Sequence, residues 1–413
     1  MQLAKGWAGG MTVRVDVAIV GGGLTGLVLA LTLGRAGVEV VVIERHSLAR
    51  TLSPGFDGRV TAIARGSKLL LEGIGVWPLL ETGAGPIRDI VVGEAGAAAE
   101  VHYDHREVGD EPLGWIVENR AIREAVLACL DGLPGVTLAA GAEVTELERG
   151  GLAADLVLGD GRRFRAGLVV AAEGKESSTR KAAGIGVQRW DYHQTGIVCT
   201  LLHERPHQGL AVERFFPDGP FALLPMSGRR SSIVWALRDT AAAEVVRLDD
   251  AAFLAEVAER AGGGLGGLAL EGPRWHYPLQ LVWADRYVDR RLVLVGDTAR
   301  GIHPIAGQGW NLALRDVGGI AELVADRVRL GLDPGDELTL ERYAAWRRFD
   351  SLVLVAVTDG INRLFANDLF PVALARNAGL ALVERIPPAK RFFMRHAMGL
   401  VGDLPRLMRG LPL

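Results

Sequence analysis

Cysteine is nearly absent from this chain. Cys129 and Cys199 are the only two in 413 residues, each in apolar surroundings and neither within ligand spacing of a histidine. That excludes a disulfide framework and a Cys/His zinc site, and a reducing, cytoplasmic setting is expected. Long hydrophobic runs are missing too: no uninterrupted stretch reaches the roughly 18 residues that a spanning helix requires. Met1 to Gly10 is a short Gly-rich lead-in without the apolar core of a secretion signal, and Met11 is an alternative start. The formal net charge of −3 offers no reason to expect a nucleic-acid partner. There is no Gly-x-Ser-x-Gly, which leaves a hydrolase without support. There is one Gly-x-Gly-x-x-Gly and no redox cysteine pair, so a second nucleotide domain of the disulfide-reductase kind is not expected.

What is present is ordinary globular composition, 49% apolar and 23% charged, in a chain long enough for two domains with real cores. Val15 to Val20 reads as a buried strand, Leu27 to Ala36 as a helix and Val38 to Ile43 as a second parallel strand, a complete βαβ unit. Its connecting loop carries Gly21, Gly23 and Gly26, spaced for a tight turn, for close approach of a pyrophosphate and for helix–strand packing. Glu44 closes the second strand, where a carboxylate takes ribose hydroxyls and repels a 2′-phosphate. The bound ADP moiety is therefore unphosphorylated, as in FAD or NAD, and this fingerprint alone does not separate the two.

A second motif far downstream separates them. Asp297 follows the apolar run Leu292 to Val295, placed to take the hydroxyls of a ribitol chain. Gly307, Gln308 and Gly309 then open a helix whose free N–H groups and dipole suit the pyrimidine edge of a flavin and its reduced anion. A cofactor long enough to need both sites is FAD. A third element, Val169 to Gly174 followed by Ser177, Ser178 and Arg180, reads as another loop over the cofactor or as a plain turn.

Around these motifs Ile87 to Val92 and Glu100 to Tyr103 read as a strand excursion, Ile122 to Leu130 as a helix and Val136 to Leu147 as short strands. Ile197 to Leu202, Ala211 to Phe216, Phe221 to Pro225 and Ser232 to Leu237 read as antiparallel strands, and Asp249 to Ala261 as a helix. From Gly309 onward nearly all is helix, broken near Pro334, Pro371 and Pro387-Pro388. The expected organisation is α/β: a Rossmann-like FAD-binding domain (11–80, 111–185 and 286–345), an inserted antiparallel-sheet substrate domain (81–110 and 186–285) and a helical C-terminal region (346–413).

The three motifs together resemble the signatures of single-component FAD-dependent aromatic hydroxylases of the para-hydroxybenzoate hydroxylase type. Within these, Asp57-Gly58-Arg59 with Ala62, Trp115 to Arg120, Glu213 to Pro220 and above all His303 to Asp316 resemble the ubiquinone-biosynthesis hydroxylases, from about Val13 to the C-terminus. The resemblance implies hydroxylation of a polyprenyl phenol through a flavin C4a-hydroperoxide, with NAD(P)H as a transient reductant and O₂ as co-substrate. The alternatives are hydroxylation of a smaller phenol and flavin binding without turnover in a biosynthetic complex. It places Glu44 on the adenosine ribose, Asp297 on the ribitol, and Arg59 and Arg123 near the phosphates. Pro304, Gly307, Gly309, Trp310 and Asn311 then surround the ring, with Pro304, Gly307 and Gly309 carrying catalysis through backbone and dipole. Two positions depart from the family's usual residues: Glu173 stands where Asp is usual, and Arg300 where His is usual.

Phe221, Leu223 and Trp235 are candidates for the substrate pocket, with core packing as the alternative. His193 is a candidate for the same cavity or for a surface loop. His102 and His105 lie three apart in a strand, so they diverge and no metal is expected. The tail from Leu382 to Gly410 interleaves Arg385, Lys390, Arg391, Arg395, Arg406 and Arg409 with Phe392, Phe393, Met394 and Met398. It suits a peripheral helix at the inner face of a bacterial membrane or a contact in a quinone-biosynthesis complex. A helix docked on its own FAD domain is the other reading.

Overall fold

The computed structural model describes residues 11–47, 58–97, 100–303, 307–365 and 379–413. Strand Thr12–Val20, helix Leu24–Arg35 and strand Val40–Glu44 form the expected βαβ unit. Val17 to Val20 and Val40 to Ile43 are buried on both faces, which explains their unbroken apolar sequence. They lie in an eight-stranded sheet in which Leu292–Leu294, Arg163–Ala171, Thr12–Val20, Val40–Glu44 and Val136–Ala140 run parallel, in that spatial order. Parallel strands end at the same edge. Gly21, Glu44, Glu173 and Asp297, distant in sequence, therefore leave the sheet side by side, where open α/β sheets bind their ligands. Helix Gly309–Arg329 packs beside Leu24–Arg35 through Leu314, Val317, Ile320 and Ala321.

A second eight-stranded sheet is almost wholly antiparallel. Its order is Arg300–Gly301, Leu268–Ala284, Val187–His203, Arg230–Arg238, Gly219–Pro225, Leu210–Phe216, Asp89–Glu94 and Glu100–Asp104. The 17-residue strand Leu268–Ala284 has no counterpart in the sequence reading, because Pro273 and Pro278 argue against a strand. It is accommodated because most of its length forms the sheet edge: beyond Val187–His203 it pairs only through Val282 and Trp283. Gly272, at positive φ, lies at the second of two irregularities in this pairing, between Trp275 and Glu271.

One face of this sheet is covered by helices Asp239–Arg247 and Asp250–Ala261. Phe221, Leu223 and Trp235 lie on that face, packed with Ile197, Ile233, Phe253 and Val257. Phe221 and Trp235 meet edge to face at 5.9 Å, and the Arg260 guanidinium lies 4.3 Å from the Trp235 ring centre. The expectation that these three line the substrate pocket is thus corrected: they are core. Side chains alternate along a strand, so the pocket belongs to their neighbours.

Strands Val60–Ala64, Gly114–Glu118 and Gly85–Ile87 form a small third sheet. Helix Pro387–Ala397 begins at the Pro-Pro pair, with proline in its first turn, rather than ending there. Met394 and Met398 bury against Ile87, Ile116, Ala211 and Met226. Among the described residues no helix is long and apolar enough to cross a membrane.

Candidate active site

A cavity of about 1150 Å³ begins at Gly21, Gly23 and Glu44 on the edge of the parallel sheet. It passes Arg59, Arg123, Gly174, Asp297 and Trp310 and ends against the uncovered face of the second sheet. That volume exceeds the usual range for one small ligand. It has room for a long cofactor and a substrate together.

At the nucleotide end the backbone is held ready. Glu44 accepts hydrogen bonds from the Gly22 N–H at 2.7 Å and the His46 N–H at 2.8 Å, which fixes its carboxylate against the glycine turn. A Cβ on Gly21 would lie 2.5 Å from the Ala172 carbonyl oxygen, and one on Gly26 2.0 Å from the Gly21 carbonyl oxygen. Those two glycines permit close packing of turn, helix and strand. Gly23 has open space above it. No side chain caps the N-terminus of helix Leu24–Arg35, so its first N–H groups remain donors toward the cavity.

Helix Gly309–Arg329 is built alike. It has no side-chain cap, Gly309 has open space above it, and Gly307 and Trp310 line the cavity. The indole N–H of Trp310 is buried and finds no acceptor among the described residues. Asn311 does not line the cavity: its carboxamide donates to the Ala62 and Gly307 carbonyls and accepts from the Ala64 N–H. The expected contact between the Asn311 side chain and the cofactor is therefore corrected to one between this helix and strand Val60–Ala64. Pro304 and Asp57 lie outside the described residues.

The Asp297 carboxyl opens on the cavity and accepts no hydrogen bond from the described protein. Burial raises its pKa, opposed by the nearby cations Lys175 and Arg300. Arg300 itself is turned away from the cavity. It makes two hydrogen bonds to the buried Asp316, at 2.7 and 2.9 Å, and Arg347 meets the same carboxylate at 3.0 Å. Burial works against the charged guanidinium, but Asp316 outweighs it and holds Arg300 above its ordinary pKa. Asp316 also accepts the Gly296 N–H at 2.9 Å, next to Asp297. The cation that departs from the family's usual histidine is thus part of the scaffold beneath the loop.

Glu173 has a similar local role. Its carboxylate accepts from the Ser177 and Ser178 hydroxyls at 2.5 and 2.6 Å and from the Thr179 N–H, capping the short helix Ser178–Ala182. Gly174 is tied to the Thr298 hydroxyl through both its N–H and its carbonyl, which joins this loop to the Asp297 loop.

The far end of the cavity is walled by the face opposite Phe221 and Trp235. Ile90, Ala211, Pro220, Ala222, Leu224, Val198, Val234 and Ala236 give an apolar surface, into which Glu213, Tyr277 and His303 bring polar groups. Burial pushes the His303 imidazole down to about 4, and its Nε2 lies 3.2 Å from the Gln194 side-chain oxygen. His193 is exposed at positive φ, where the pairing of Val187–His203 with Leu268–Ala284 slips, and is not part of the wall. His102 meets Asp89 and His105 the Arg88 carbonyl, so the two diverge.

Uncapped helix N-termini at both ends of an elongated cavity, a carboxyl between them that no described residue pairs and an apolar chamber beyond define a nucleotide-dependent oxidoreductase that holds a long cofactor. The residues fit FAD: open space over Gly23 and Gly309, the unsatisfied Trp310 donor and the unpaired Asp297 supply what it needs. The FAD binding domain family matches residues 14–348. An Escherichia coli protein named 3-demethoxyubiquinol 3-hydroxylase is 34% identical over 93% of this chain and 98% of its own. A Rhodospirillum rubrum protein named ubiquinone hydroxylase UbiL is 49% identical over 96% of this chain and 93% of its own. Among solved structures, p-nitrophenol 4-monooxygenase PnpA from Pseudomonas putida superposes with a TM-score of 0.77 at 19% identity, covering 95% of this chain and 100% of that one. Klebsiella pneumoniae HpxO, solved with FAD, gives 0.71 at 17% identity over 94% and 99% of the two chains. The chain belongs to the FAD-dependent monooxygenases, and within them to the family of the ubiquinone-biosynthesis hydroxylases.

Proposed function

We propose that this protein hydroxylates the aromatic ring of a polyprenyl phenol on the route to ubiquinone, using FAD, NAD(P)H and O₂. The observation that carries the reading is the continuity of the cavity from the Gly21–Glu44 turn, past Asp297, to the apolar face of the second sheet. FAD supplies the redox chemistry and the activation of O₂ when bound. Gly21, Gly23 and the helix N-terminus beside them hold its pyrophosphate, with Arg59 and Arg123 adding positive charge, and Glu44 takes the ribose hydroxyls. Asp297 takes the ribitol chain, while Gly307, Gly309 and Trp310 present donors to the ring. The sheet wall positions the phenol and excludes water, which is the larger part of what such a reaction asks of its protein.

A lipid-tailed substrate explains the C-terminal helix. Its buried side, Met394 and Met398, packs beside Ile87 and Ala211, which also line the cavity, while Phe392, Phe393, Arg391 and Arg395 are exposed. We read that outer side as a peripheral contact with an anionic membrane surface. Vesicle co-sedimentation of wild type and of Phe392→Ser/Phe393→Ser protein checks it: the variant stays in solution, and equal sedimentation of both contradicts the contact. The activity is tested by NAD(P)H oxidation with short- and long-prenyl phenols. Stimulation that grows with the prenyl chain supports the reading. A yellow protein that neither nicotinamide reduces, with any phenol present, refutes it.

A further inference from the structure

Strand Leu210–Phe216 alternates between the two faces of its sheet. Val212 points into the core with Leu223, while Ala211 and Glu213 share the cavity face with Ala222, which pairs directly with Glu213. Across the other edge of the strand Glu213 pairs with Val92. The next strand of the same wall contributes Val234 and Ala236. Glu213 is therefore a carboxyl set in an apolar wall. No described residue gives it a hydrogen bond or an ion pair, although its neighbour Arg214 is paired with Glu100. On this face the flanking strands bring one charged residue, Glu94, which pairs with Phe215 two places along the strand and has no part in the titration of Glu213. The titratable groups elsewhere in the chamber are Tyr277, which feels Arg59, and His303. Burial alone raises the Glu213 carboxyl to about 7.

Whereas the buried Asp316 beneath the Gly296 loop is paired with both Arg300 and Arg347, a carboxyl left unpaired in an apolar wall is costly. It becomes intelligible if a ligand completes it. We propose that Glu213 is the residue that receives a ring hydroxyl of the substrate, hydrogen-bonding to it and taking up its proton as the ring is oxidised. This rests on the reading of the chamber as a phenol site. The proton passes from the ring oxygen to a carboxylate oxygen of Glu213, the bonding pair stays on the ring oxygen, and the proton returns when the product leaves. A ring carrying that oxygen negative is more electron-rich and so a better target for an electrophilic oxygen. The apolar wall around Glu213 seats the ring, and the carboxyl fixes which edge of it faces the flavin.

The test compares a prenylated phenol with its methyl ether on FAD-loaded wild type, Glu213→Leu and Glu213→Gln, reading binding from flavin fluorescence and turnover from product. Wild type should favour the phenol. Glu213→Leu should bind the phenol about ten- to a hundredfold more weakly, the loss expected for an unsatisfied polar partner, and bind the ether as wild type does. Product formation in wild type should rise with pH through about 7, where the carboxylate appears. In Glu213→Gln that rise should be gone. If Glu213→Leu keeps the preference for the phenol, or loses phenol and ether equally, the assignment is overturned. It is overturned also if wild type binds the two alike, or if Glu213→Gln keeps the wild-type pH profile; the second criterion stands if the leucine variant fails to fold. Should wild type bind neither compound, the phenol reading of the chamber fails first, and this assignment with it.

Discussion

The two sides of the turn Gly296–Arg300 are built on opposite principles. Beneath it, Asp316 is fully buried and saturated: Arg300, Arg347 and the Gly296 N–H all donate to it, and Asp350 extends the network to Arg347 and Arg315. Above it, Asp297 opens on the cavity with no hydrogen bond from the described protein, and Glu213 stands equally alone on the far wall. Saturated charges hold a loop in one place. Unsaturated charges in a cavity keep their hydrogen-bonding capacity for something that arrives later. The same contrast divides the helix N-termini, since Ser178–Ala182 is closed by Ser177 and Glu173 while Leu24–Arg35 and Gly309–Arg329 have no side-chain cap.

The contrast can be broken from either side. The largest effect is expected on the saturated side: Asp316→Ala leaves the buried Arg300 guanidinium without its carboxylate and Arg347 with Asp350 alone, and should cost about 3–5 kcal/mol in urea denaturation, with loss of flavin as the Gly296 loop loosens. A loss below about 1 kcal/mol would show that the network is not the scaffold claimed. On the open side, Asp297→Ala should leave the stability of the flavin-free protein near wild type and yield colourless or weakly flavinylated protein; full FAD retention contradicts the role given to Asp297.

His303 sharpens the comparison through pH. Burial depresses its imidazole from 6.5 to about 4, so the unfolded chain takes up a proton before the folded one does. The contribution of this group to stability is complete above pH 6.5 and is lost as pH falls toward 4. Between pH 7 and pH 5 it should amount to about 2 kcal/mol. His303→Gln should flatten that part of the pH–stability curve, and an unchanged curve would contradict the assignment. The smallest effect is expected for Gly309→Ala. A Cβ there meets no protein atom, so flavin-free stability should move by less than about 0.5 kcal/mol, and any loss of FAD affinity measures how closely the cofactor approaches that helix.

How much of this was legible in the sequence differs by region for physical reasons. The βαβ unit, Glu44 and the Gly296–Gly309 segment could be read because each signal is local: a strand, a turn and a helix in succession. The second sheet resisted. Both of its faces are apolar, one against helices and one against the cavity, so alternation does not mark which side is which. Phe221, Leu223 and Trp235 suit either face by sequence, and they stand one residue out of step with the cavity-facing Pro220, Ala222, Leu224 and Val234. Prolines at an unpaired edge hid strand Leu268–Ala284. Arg300 stands out in the sequence because its partner Asp316, 16 residues on, and the Arg347 that shares that carboxylate become neighbours only through the helix packing. Glu213 belongs to the family-like segment Glu213 to Pro220, yet its place among apolar neighbours becomes visible only when four strands are set side by side.

The central claim is that one continuous cavity serves flavin and a lipid-tailed phenol for oxygen transfer. Its most direct test is the mass spectrum of a prenylated phenol incubated with FAD-loaded protein, NAD(P)H and isotopically labelled O₂. The account predicts a product heavier by one labelled oxygen atom on the ring. Unchanged phenol, with NAD(P)H consumed and all the labelled oxygen recovered as hydrogen peroxide, would contradict it.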